Sequence, residues 1–417
     1  MGAKTWAALY AAARLPQPFP VLTGFNANTD RIIPVTAALL GRIRRQPGSV
    51  FSELFLRLEH SLRHCAADEM ILDGQEDYAA VCRFFARTGT PALGGQAGIA
   101  AARLQGLGFG PVTCAVPGAG RRTRELLKRF GITPCTLGDG AGRNADPVHF
   151  VFEHSPGLVP LAPGTIPRNN RFIVSPAHTA SSVLVPAAAQ DAFFARIASC
   201  RRAFLSGYQY LQTEEEFDRA ARQLARIRAH HPAMRTHVEC TGGIRPGTYT
   251  LMARHIFPHA DSLGLNEQEL GMALRALGAR DTLQQDNAPA TPDGLVRDAV
   301  TLAGITGVPR LHLHTFGYYI LVQKPGAKTP EASRNALLLA ASEAATAVGG
   351  DHRVISPDGL GAYAAIRRTS GPEGPTGIFP AGERTVIVVP ACISLPARKT
   401  TGLGDIISSV AFVADPF

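Results

Sequence analysis

Residues 400–412 read TTGLGDIISSVAF, and this stretch decides how the rest of the chain is interpreted. A strongly apolar strand pattern, Thr385–Pro390, precedes it, and an apolar helix pattern follows. Gly402 and Gly404 free the backbone to approach a ligand closely, and the next helix offers unpaired N–H groups to an anion. Asp405 lies in the first turn of that helix, where a carboxylate is stabilised as an ion. The pattern predicts either a phosphate-binding turn beside a catalytic carboxylate or an ordinary glycine turn.

The composition is typical of a globular enzyme with a large core. The chain has 417 residues, of which 45% are hydrophobic and 18% charged, enough for one large α/β domain or a domain with an appendage. The formal net charge of +9 is spread without a basic block. We therefore expect no nucleic-acid partner, and a positive field that favours small anionic substrates.

Cysteine usage and the apolar segments bear on the compartment. The seven cysteines are odd in number and form no CxxC pair, which indicates reduced thiols instead of a disulfide framework or a zinc site. The apolar stretch at residues 6–13 is too short for a signal anchor, and no run approaches the ~18 apolar residues that a membrane span needs. We expect a cytoplasmic protein without a membrane partner.

Strand and helix patterns alternate regularly from about residue 188 to the end of the chain. Strands separated by helices of this kind predict an α/β fold with a doubly wound, mostly parallel sheet flanked by helices. In such a sheet the active-site groups lie at the carboxyl ends of the strands. The expected strands are 19–24, 112–116, 148–153, 170–174, 203–206, 235–240, 262–265, 310–315 and 385–390.

Polar residues follow the first of these strands at alternate positions. Asn26, Asn28 and Asp30 would present several hydrogen-bonding groups to one side, which suits a polyhydroxylated ligand. The alternative is an Asx-rich turn. The sequence GGQAG at 94–98 opens a helix, and its glycines permit either close ligand approach or a tight contact between helix and sheet. Gln96 is a plausible hydrogen-bonding group there.

Two further groups of polar residues lie at the ends of predicted strands in the carboxyl-terminal half of the chain. His237 and Glu239 share one side of a strand end, and Asn266 opens a helix with Glu269 three residues later. Hard oxygen ligands beside a phosphate site suit Mg²⁺. The same Asn266 and Glu269 spacing also predicts a helix capping box, and both interpretations stay open. His149 lies on a strand, where a single histidine is more often structural than functional.

Together these pieces resemble the ADP-dependent glucokinase/phosphofructokinase family, which has a ribokinase-like fold. Eight motifs occur in the family's order and cover nearly the whole chain. They are NANTD at 26–30, GGQAG at 94–98, VHFVFE at 148–153, NRFI at 170–173, SGYQ at 206–209, HVE at 237–239, NEQE at 266–269 and GLGD at 402–405.

The resemblance implies phosphorylation of a sugar by ADP with Mg²⁺, releasing AMP, as in glycolysis. Asp405 would be the general base that takes the proton of the sugar hydroxyl. The implied sugar-binding residues are Asn28, Asp30, Glu69, Gly95, Gln96 and His149. The implied nucleotide- and phosphate-binding residues are Arg171, Gly402, Leu403 and Gly404. The implied Mg²⁺ ligands, some of them acting through water, are Glu267 with Glu239, Asn266, Glu269 and His237 around it.

The resemblance also implies how the chain is divided. Residues 1–417 would form one catalytic unit with a smaller, discontinuous α/β lid. The large nucleotide-binding domain would comprise mainly 1–24, 76–140 and 179–417, and the sugar-binding lid about 25–75 and 140–178. The expected partners are the sugar and ADP, and the expected assembly is a monomer or a small homo-oligomer.

The chain departs from the family pattern at three places, of which the last two bear on the choice of sugar. Thr401 stands where Val is common, a small change that matters mainly for packing. The segment AADE at 66–69 lacks the glycine and lysine often found ahead of the sugar-contacting acid, so Glu69 and Asp68 both remain candidates. The bend SPGLV at 155–159 has no Lys or Arg to pair with a substrate 6-phosphate.

Glucose is therefore the expected acceptor, since a carboxylate near the far end of the sugar would repel a phosphate there. A kinase acting on fructose 6-phosphate, or on both sugars, is the alternative. An ATP-dependent kinase of the wider ribokinase group and a protein that only binds sugar or nucleotide are further alternatives.

Overall fold

The computed structural model describes residues 2–65, 68–136, 146–154, 170–177, 182–241, 245, 247–279, 290–326, 329–395 and 402–416. The strands are β1 Val21–Gly24, β2 Asn28–Pro34, β3 Asp68–Leu72, β4 Thr90–Gly94, β5 Val112–Ala115, β6 Thr133–Cys135, β7 Val148–His154, β8 Asn170–Pro176, β9 Arg202–Leu205, β10 Arg235–Glu239, β11 Ser262–Leu265, β12 Arg310–His314, β13 Tyr318–Gln323, β14 His352–Ile355, β15 Ile378–Ala381, β16 Arg384–Pro390 and β17 Cys392–Leu395. The α-helices are α1 Ala3–Ala12, α2 Ala37–Arg44, α3 Ser49–His64, α4 Gln75–Phe84, α5 Gln96–Gly106, α6 Arg121–Arg129, α7 Gln190–Ile197, α8 Glu214–His230, α9 Thr248–Leu251, α10 Glu267–Ala276, α11 Pro292–Thr306, α12 Pro330–Val348, α13 Pro357–Thr369 and α14 Leu403–Val413.

A large sheet forms the centre of the fold. Its ten strands in the described residues have the order β15-β16-β13-β12-β11-β10-β9-β1-β5-β6. The strands from β12 to β6 pair in parallel, and β13, β16 and β15 are added in antiparallel pairs. The predicted mostly parallel sheet is confirmed, and each of the nine predicted strands is present. The strand order reverses beside β1, and ligands bind at such a reversal in open α/β sheets.

A second sheet, with the order β3-β8-β7-β2-β4, has a core of its own. Apolar side chains of α3, such as Leu54 and Leu58, pack with Phe85, Phe152 and Phe172, and this cluster is separate from the core of the large sheet. The helices cover one face of the second sheet, so that polar residues can occupy the other.

The second sheet shows where two sequence interpretations differ from the structure. Asn28 and Asp30 lie on β2, so the Asx-rich turn is wrong for these two residues. Residues 76–140 were expected in the large domain, but β4 pairs with β2, and Val81 of α4 packs in the second core. The chain leaves the large sheet after β1 and returns to it only at β5, so β2, β3 and β4 belong to the second sheet and the helices between them pack in its core.

Helix α14 is buried along most of its length, which explains why its sequence is apolar on all sides. It packs against α5 and α12 and lies over β10 and β12. Its first turn lies at the carboxyl ends of these strands, so the fold brings the GLGD motif to the ligand-binding edge of the sheet. In the part of the chain that the structure describes, no helix is both long and apolar enough to cross a membrane.

Candidate active site

A polar cleft of about 220 Å³ lies between the two sheets. The second sheet contributes Asn28, Asp30, Glu69, His149, Val151, Arg171 and Ile173, and the larger body contributes Gly95, Gln96, Gln209, Tyr210, Glu239, Asn266, Glu269, His314 and Gly402 to Asp405. The structure thus brings together all the predicted site residues except Glu267 and His237. Residues far apart in sequence meet here because strands of both sheets end at the cleft.

Helix α14 opens onto the cleft with the geometry that the GLGD motif predicts. Gly402 caps the helix with φ of 75°, a left-handed conformation that favours glycine. A Cβ atom at Gly402 would come within 2.8 Å of Ile99, and one at Gly404 within 3.2 Å of His314. The glycines therefore let the turn lie against its neighbours while its N–H groups remain available to an anion.

Asp405 lies in the first turn of α14 and is half-buried in the cleft wall. The pKa of its carboxyl group is raised to about 7, mainly by burial and also by the negative charge of Glu239, whereas Arg171 and His314 oppose this shift. Gln96 also makes a hydrogen bond that lowers the pKa of this carboxyl. A carboxyl group with a pKa near neutrality is suited to accept a proton from a substrate hydroxyl.

The part of the cleft near β2 and the start of α5 contains polar atoms without hydrogen-bond partners. The Asn28 amide donates to Asp30 Oδ1 over 2.6 Å, and the Gln96 amide donates to the carbonyl oxygen of Cys240 over 3.1 Å. Among the described residues, Asn28 Oδ1 and Gln96 Oε1 are buried and accept no hydrogen bond. Because a buried unpaired acceptor is costly, these atoms point to a ligand that donates hydrogen bonds, as a polyol does.

Two carboxyl groups of the second sheet, the buried Asp30 and the half-buried Glu69, face the same space. The pKa of Asp30 is raised to about 7, mainly by burial and also by the charges of Asp405 and Glu69. Burial also raises the pKa of Glu69, which accepts a hydrogen bond from the Ser175 hydroxyl over 2.6 Å. Arg171 lowers the pKa values of Asp30, Glu69 and Asp405, so its guanidinium lies within electrostatic reach of all three.

The structure separates the two acids at the start of β3. Arg57 binds Asp68 with two parallel contacts, Nε to Oδ2 over 3.1 Å and Nη2 to Oδ1 over 2.8 Å. Glu69 instead lines the cleft. Neighbouring residues of a strand face opposite sides, so only Glu69 is placed to contact a ligand.

Gly94 and Gly95, which precede α5, allow Asn26, Asn28 and Asp30 to pack closely against the start of this helix. Gly95 has φ of 73°, and a Cβ there would lie 2.5 Å from the Asn26 carbonyl oxygen and 2.6 Å from Asn28 Oδ1. A Cβ at Gly94 would overlap the carboxylate of Asp30. Between the two alternatives left by the sequence, close packing is what the structure shows, and it holds Asn28 and Asp30 in place.

His237 does not reach the cleft. It is fully buried, its Nδ1 pairs with Ser262 Oγ over 2.8 Å, and its Nε2 pairs with Glu239 Oε2 over 2.9 Å. Both ring nitrogens are thus engaged with protein groups, so His237 lies behind Glu239 and not among the residues that line the cleft, where it was predicted to help hold Mg²⁺. Glu239 accepts from His237 and Ser408 at Oε2 and from His314 at Oε1. Any contact of Glu239 with a metal would compete with these groups.

The capping box predicted at the start of α10 is confirmed. Asn266 Oδ1 accepts from the backbone N–H of Gln268 and Glu269, and Glu269 Oε2 accepts from the Asn266 N–H over 2.7 Å. Glu267 faces a neighbouring cavity and accepts from the Phe316 N–H over 3.3 Å. In the described residues, no group of three or more His, Cys, Asp or Glu is arranged to hold a metal on its own.

The donor set nevertheless fits Mg²⁺ that arrives with a phosphate ligand. The pKa of Glu269 is raised to about 7, mainly by burial and also by the negative charges of Glu239 and Asp405. A divalent cation would relieve this repulsion. Mg²⁺ usually takes one or two carboxylates and completes its shell with water and phosphate oxygens, so Glu269 and Glu267 suffice.

A second cavity of about 1080 Å³ adjoins the polar cleft, and the sequence had not predicted it. Its walls are largely apolar and include Leu295, Tyr318, Tyr319, Ala344 and Val348. The two cavities share Asn266, His314, Leu403 and Gly404. A ligand with an aromatic end and an anionic end would place its anion at this junction, beside the first turn of α14.

His314 is the other group that sequence reasoning missed. Its Nε2 pairs with Glu239 Oε1 over 3.0 Å. Burial alone would lower its pKa, but the hydrogen bond that His314 donates to Glu239 and the charges of Glu239, Glu269 and Glu267 raise it to about 9. The junction therefore carries a cationic imidazole. The signal in the sequence was the strand RLHLH at 310–314, in which Arg310, His312 and His314 share a face.

Comparison with known proteins agrees with this geometry. The family model described as "ADP-specific Phosphofructokinase/Glucokinase conserved region" matches residues 19–414. An ADP-dependent glucose/glucosamine kinase of Pyrococcus furiosus is 27% identical over 99% of this chain and 98% of its own length. An ADP-specific phosphofructokinase of Methanosarcina acetivorans is 27% identical over 77% of this chain and 75% of its own length. A solved ADP-dependent kinase in complex with fructose 6-phosphate and ADPβS has the same fold, with a TM-score of 0.80, 22% identity and coverage of 99% and 96% of the two chains.

Proposed function

Because the chain belongs to the ADP-specific phosphofructokinase/glucokinase family, we propose that it transfers the β-phosphoryl group of ADP to a hexose hydroxyl and releases AMP. One observation carries the proposal. Asp405 and the first turn of α14 lie where a polar cleft with unpaired acceptors meets a larger apolar cavity. The polar cleft suits a sugar, and the apolar cavity suits a nucleoside whose diphosphate reaches the junction.

Asp405 accepts the proton of the sugar hydroxyl as the oxygen attacks the β-phosphorus. The new bond joins the sugar oxygen to the β-phosphorus, and the bond to the bridging oxygen of AMP breaks. The N–H groups at the start of α14 face the transferring group and stabilise the charge on its oxygens. Arg171 and His314 add positive charge from the two sides of the cleft.

Mg²⁺ bound with ADP would neutralise charge on the phosphate oxygens. Glu267, Glu269 and Asn266 are the residues that would hold it, partly through water, while Glu239 would position His314. Glu267→Gln should raise the Mg²⁺ concentration needed for half-maximal rate and leave the KM for the sugar unchanged, because a hard cation loses most from a removed charge. If the Mg²⁺ titration is unchanged, Glu267 does not hold the metal, and its role is limited to accepting the hydrogen bond from the Phe316 N–H.

The charges of the cleft favour a neutral hexose, with glucose as the preferred acceptor. Asp30 and Glu69 line the cleft on the side of the second sheet, and of the described residues that line the cleft only Arg171 is an Arg or Lys. Arg171 already faces three carboxyl groups. A dianionic 6-phosphate needs cationic partners, which these residues do not supply. The bend at 155–159, where a basic residue was sought, lies outside the described residues. Fructose 6-phosphate is the alternative acceptor, because a relative named as a glucose/glucosamine kinase and one named as a phosphofructokinase are each 27% identical to this chain.

Release of AMP from MgADP with glucose, glucosamine or fructose 6-phosphate tests the proposal. We expect kcat/KM for glucose to exceed that for fructose 6-phosphate by about tenfold or more. The reverse ranking by the same factor would overturn the choice of acceptor. Saturation by ATP without turnover of ADP would overturn the choice of donor, and calorimetric nucleotide binding without transfer to any sugar would leave a binding protein.

A further inference from the structure

A buried chain of hydrogen bonds runs beneath α14 from its second turn to its end. It starts at Ser408, which donates to Glu239 Oε2 over 2.5 Å, and continues through His237 Nε2 at 2.9 Å from the same oxygen. His237 Nδ1 pairs with Ser262 Oγ over 2.8 Å, and Arg310 Nη1 donates to that hydroxyl over 2.9 Å. We name the set Ser408, Glu239, His237, Ser262, Arg310 and Asp415 the α14 clamp.

Arg310 connects these hydrogen bonds to the carboxyl-terminal end of α14. Its Nε donates to Asp415 Oδ2 over 2.9 Å, and its Nη2 donates to the carbonyl oxygen of Ala411 over 3.0 Å. Arg310 and Ser408 are fully buried, and Asp415 is 1% exposed. The clamp therefore holds α14 to β10, β11 and β12 at two points, one three residues after Asp405 and one at the helix end.

The direction of each hydrogen bond follows from the chemistry of Arg310, which can only donate. Ser262 accepts from Arg310, so its own hydrogen is free to donate to His237 Nδ1. The neutral imidazole then carries its hydrogen on Nε2 and donates to Glu239. Burial lowers the pKa of His237, in keeping with this neutral form. The donors from Arg310 Nη1 through Ser262 to His237 all point towards Glu239, while Arg310 Nε and Nη2 donate to Asp415 and Ala411. The directions are therefore consistent with one another, and removing one link affects the others.

Gly264 makes room for the clamp on β11. A Cβ at this position would overlap the carboxylate of Glu239 and lie 2.7 Å from His237 Nε2. A glycine in the interior of a strand often marks such a close approach. The absence of a side chain at Gly264 thus leaves space on β11 for the carboxylate of Glu239 and the ring of His237.

We propose that the α14 clamp fixes the rotation and height of α14 on the sheet and so positions Asp405 and the phosphate-binding turn for transfer. The proposal rests on the proposed function and deepens it, since Ser262, Ser408 and Arg310 then act as positioning residues that touch no substrate. Apolar contacts alone tolerate small sliding motions of a helix. Directional hydrogen bonds at two points do not, and a displacement of about 1 Å at a reacting group can cost on the order of 10²-fold in rate.

Adjacent serines of α14 supply a matched control. Ser408 belongs to the clamp, whereas Ser409 is equally buried and its hydroxyl bonds only to the carbonyl oxygen of Ile406, in its own helix, among the contacts of the described residues. We would measure kcat and both KM values for Ser408→Ala, Ser262→Ala and Ser409→Ala. The rates would be taken per active site, well below each variant's melting temperature. The double variants of Ser262→Ala with each of the other two complete a pair of thermodynamic cycles.

We expect Ser408→Ala and Ser262→Ala each to lower kcat about tenfold at nearly constant KM, because orientation is lost and binding is not. Their effects should overlap, so that the double variant loses much less than the product of the two factors. Ser409→Ala should leave kcat within about twofold of wild type and combine multiplicatively with Ser262→Ala.

Unchanged kcat in Ser408→Ala and Ser262→Ala, or a double variant whose loss equals the product of the single losses, would overturn the clamp. A stability loss without a change in kcat would do the same, because it would show support of the fold only. Wild-type turnover of ADP tests the proposed function separately, since the clamp is judged on ratios to the wild type.

Discussion

The two walls of the cleft differ in how completely their polar groups are paired. On the side of α14, Glu239 accepts from His237, His314 and Ser408, and the clamp continues this pairing to the end of the helix. On the side of the second sheet, Asn28 Oδ1 has no hydrogen-bond partner in the described part of the chain. The wall formed by the second sheet also carries acids whose pKa values are raised by burial, such as Asp30.

This contrast teaches which wall is complete before a ligand arrives. Groups that stabilise a transition state act best when they need no rearrangement during the reaction, and the α14 wall meets that condition. The wall formed by the second sheet, which we call the acceptor wall because the proposed sugar acceptor would bind there, has all its polar groups hydrogen-bonded only when a ligand is in place. Changes to the α14 wall should therefore act mainly on kcat, and changes to the acceptor wall mainly on KM.

The largest expected effect is that of Asp405→Asn. The change keeps the size of the side chain, and a helix N-terminus accepts a neutral residue, so the protein should fold normally. Loss of the base should lower kcat about 10²–10⁴-fold with little change in sugar or ADP binding. Steady-state kinetics and calorimetry measure both quantities. If the variant keeps more than about a tenth of the wild-type kcat, Asp405 is not the base.

Arg171→Ala should have the next largest effect, because Arg171 lies on the second-sheet side but lowers the pKa of Asp405 on the other side. The removal of a charge-assisted contact with phosphate should lower kcat/KM for ADP about 10–100-fold. Arg57→Ala is a matched control, since Arg57 also belongs to this part of the chain but binds Asp68 outside the cleft lining. Its kinetics should stay close to wild type.

Arg171 should also help to close the cleft. If it contacts the phosphates only when the two walls approach each other, MgADP favours the closed form through that contact. Small-angle scattering should show compaction by MgADP in the wild type and less in Arg171→Ala. Equal compaction in the two proteins would rule out this bridging role.

The dependence of the rate on pH comes next in size. Burial raises the pKa of Asp405 to about 7, and the base is active only when it is ionised. The value of kcat/KM should therefore fall about tenfold per unit as the pH decreases below 7, and more steeply if Asp30 must also ionise. A profile that stays flat down to about pH 5 would contradict the assignment of the free enzyme's base.

The sequence carries much of this site because strong local patterns mark the ends of strands. The nine predicted strands are confirmed, and the GLGD turn begins α14 as its two glycines indicate. Asn28, Asp30 and Gln96 meet in one cleft because β2 begins beside the end of β4: the two strands pair antiparallel, with Asn28 opposite Gly94, two residues before Gln96.

Other features depend on contacts that leave no local signal. The pairing of β4 with β2 moves α4 into the second core, and only long-range register decides it. His314 has no local mark of function, since its cationic form comes from Glu239, 75 residues earlier in the chain. Similarly, nothing within residues 66–69 reveals that Arg57 binds Asp68 and leaves Glu69 to the cleft.

The smallest effect concerns these two neighbouring acids and gives the sharpest test of the acceptor wall. Glu69 lines the cleft, and its Oε1 accepts from Ser175, whereas Asp68 is about one-third exposed and bound by Arg57. Glu69→Gln removes a charge but keeps the length of the side chain, so a hydroxyl-rich ligand loses charge-assisted hydrogen bonds. We expect the KM for glucose to rise about tenfold at nearly constant kcat.

Asp68→Asn should leave both glucose constants within about twofold of wild type, since a partly exposed ion pair contributes at most about 1 kcal/mol to stability. If a negative charge at Glu69 also discourages a 6-phosphate, Glu69→Gln should improve kcat/KM for fructose 6-phosphate while Asp68→Asn does not. Steady-state kinetics of both variants with both sugars measures this. An equal response of the two variants would mean that the net charge of the segment matters and the position of Glu69 in the cleft does not.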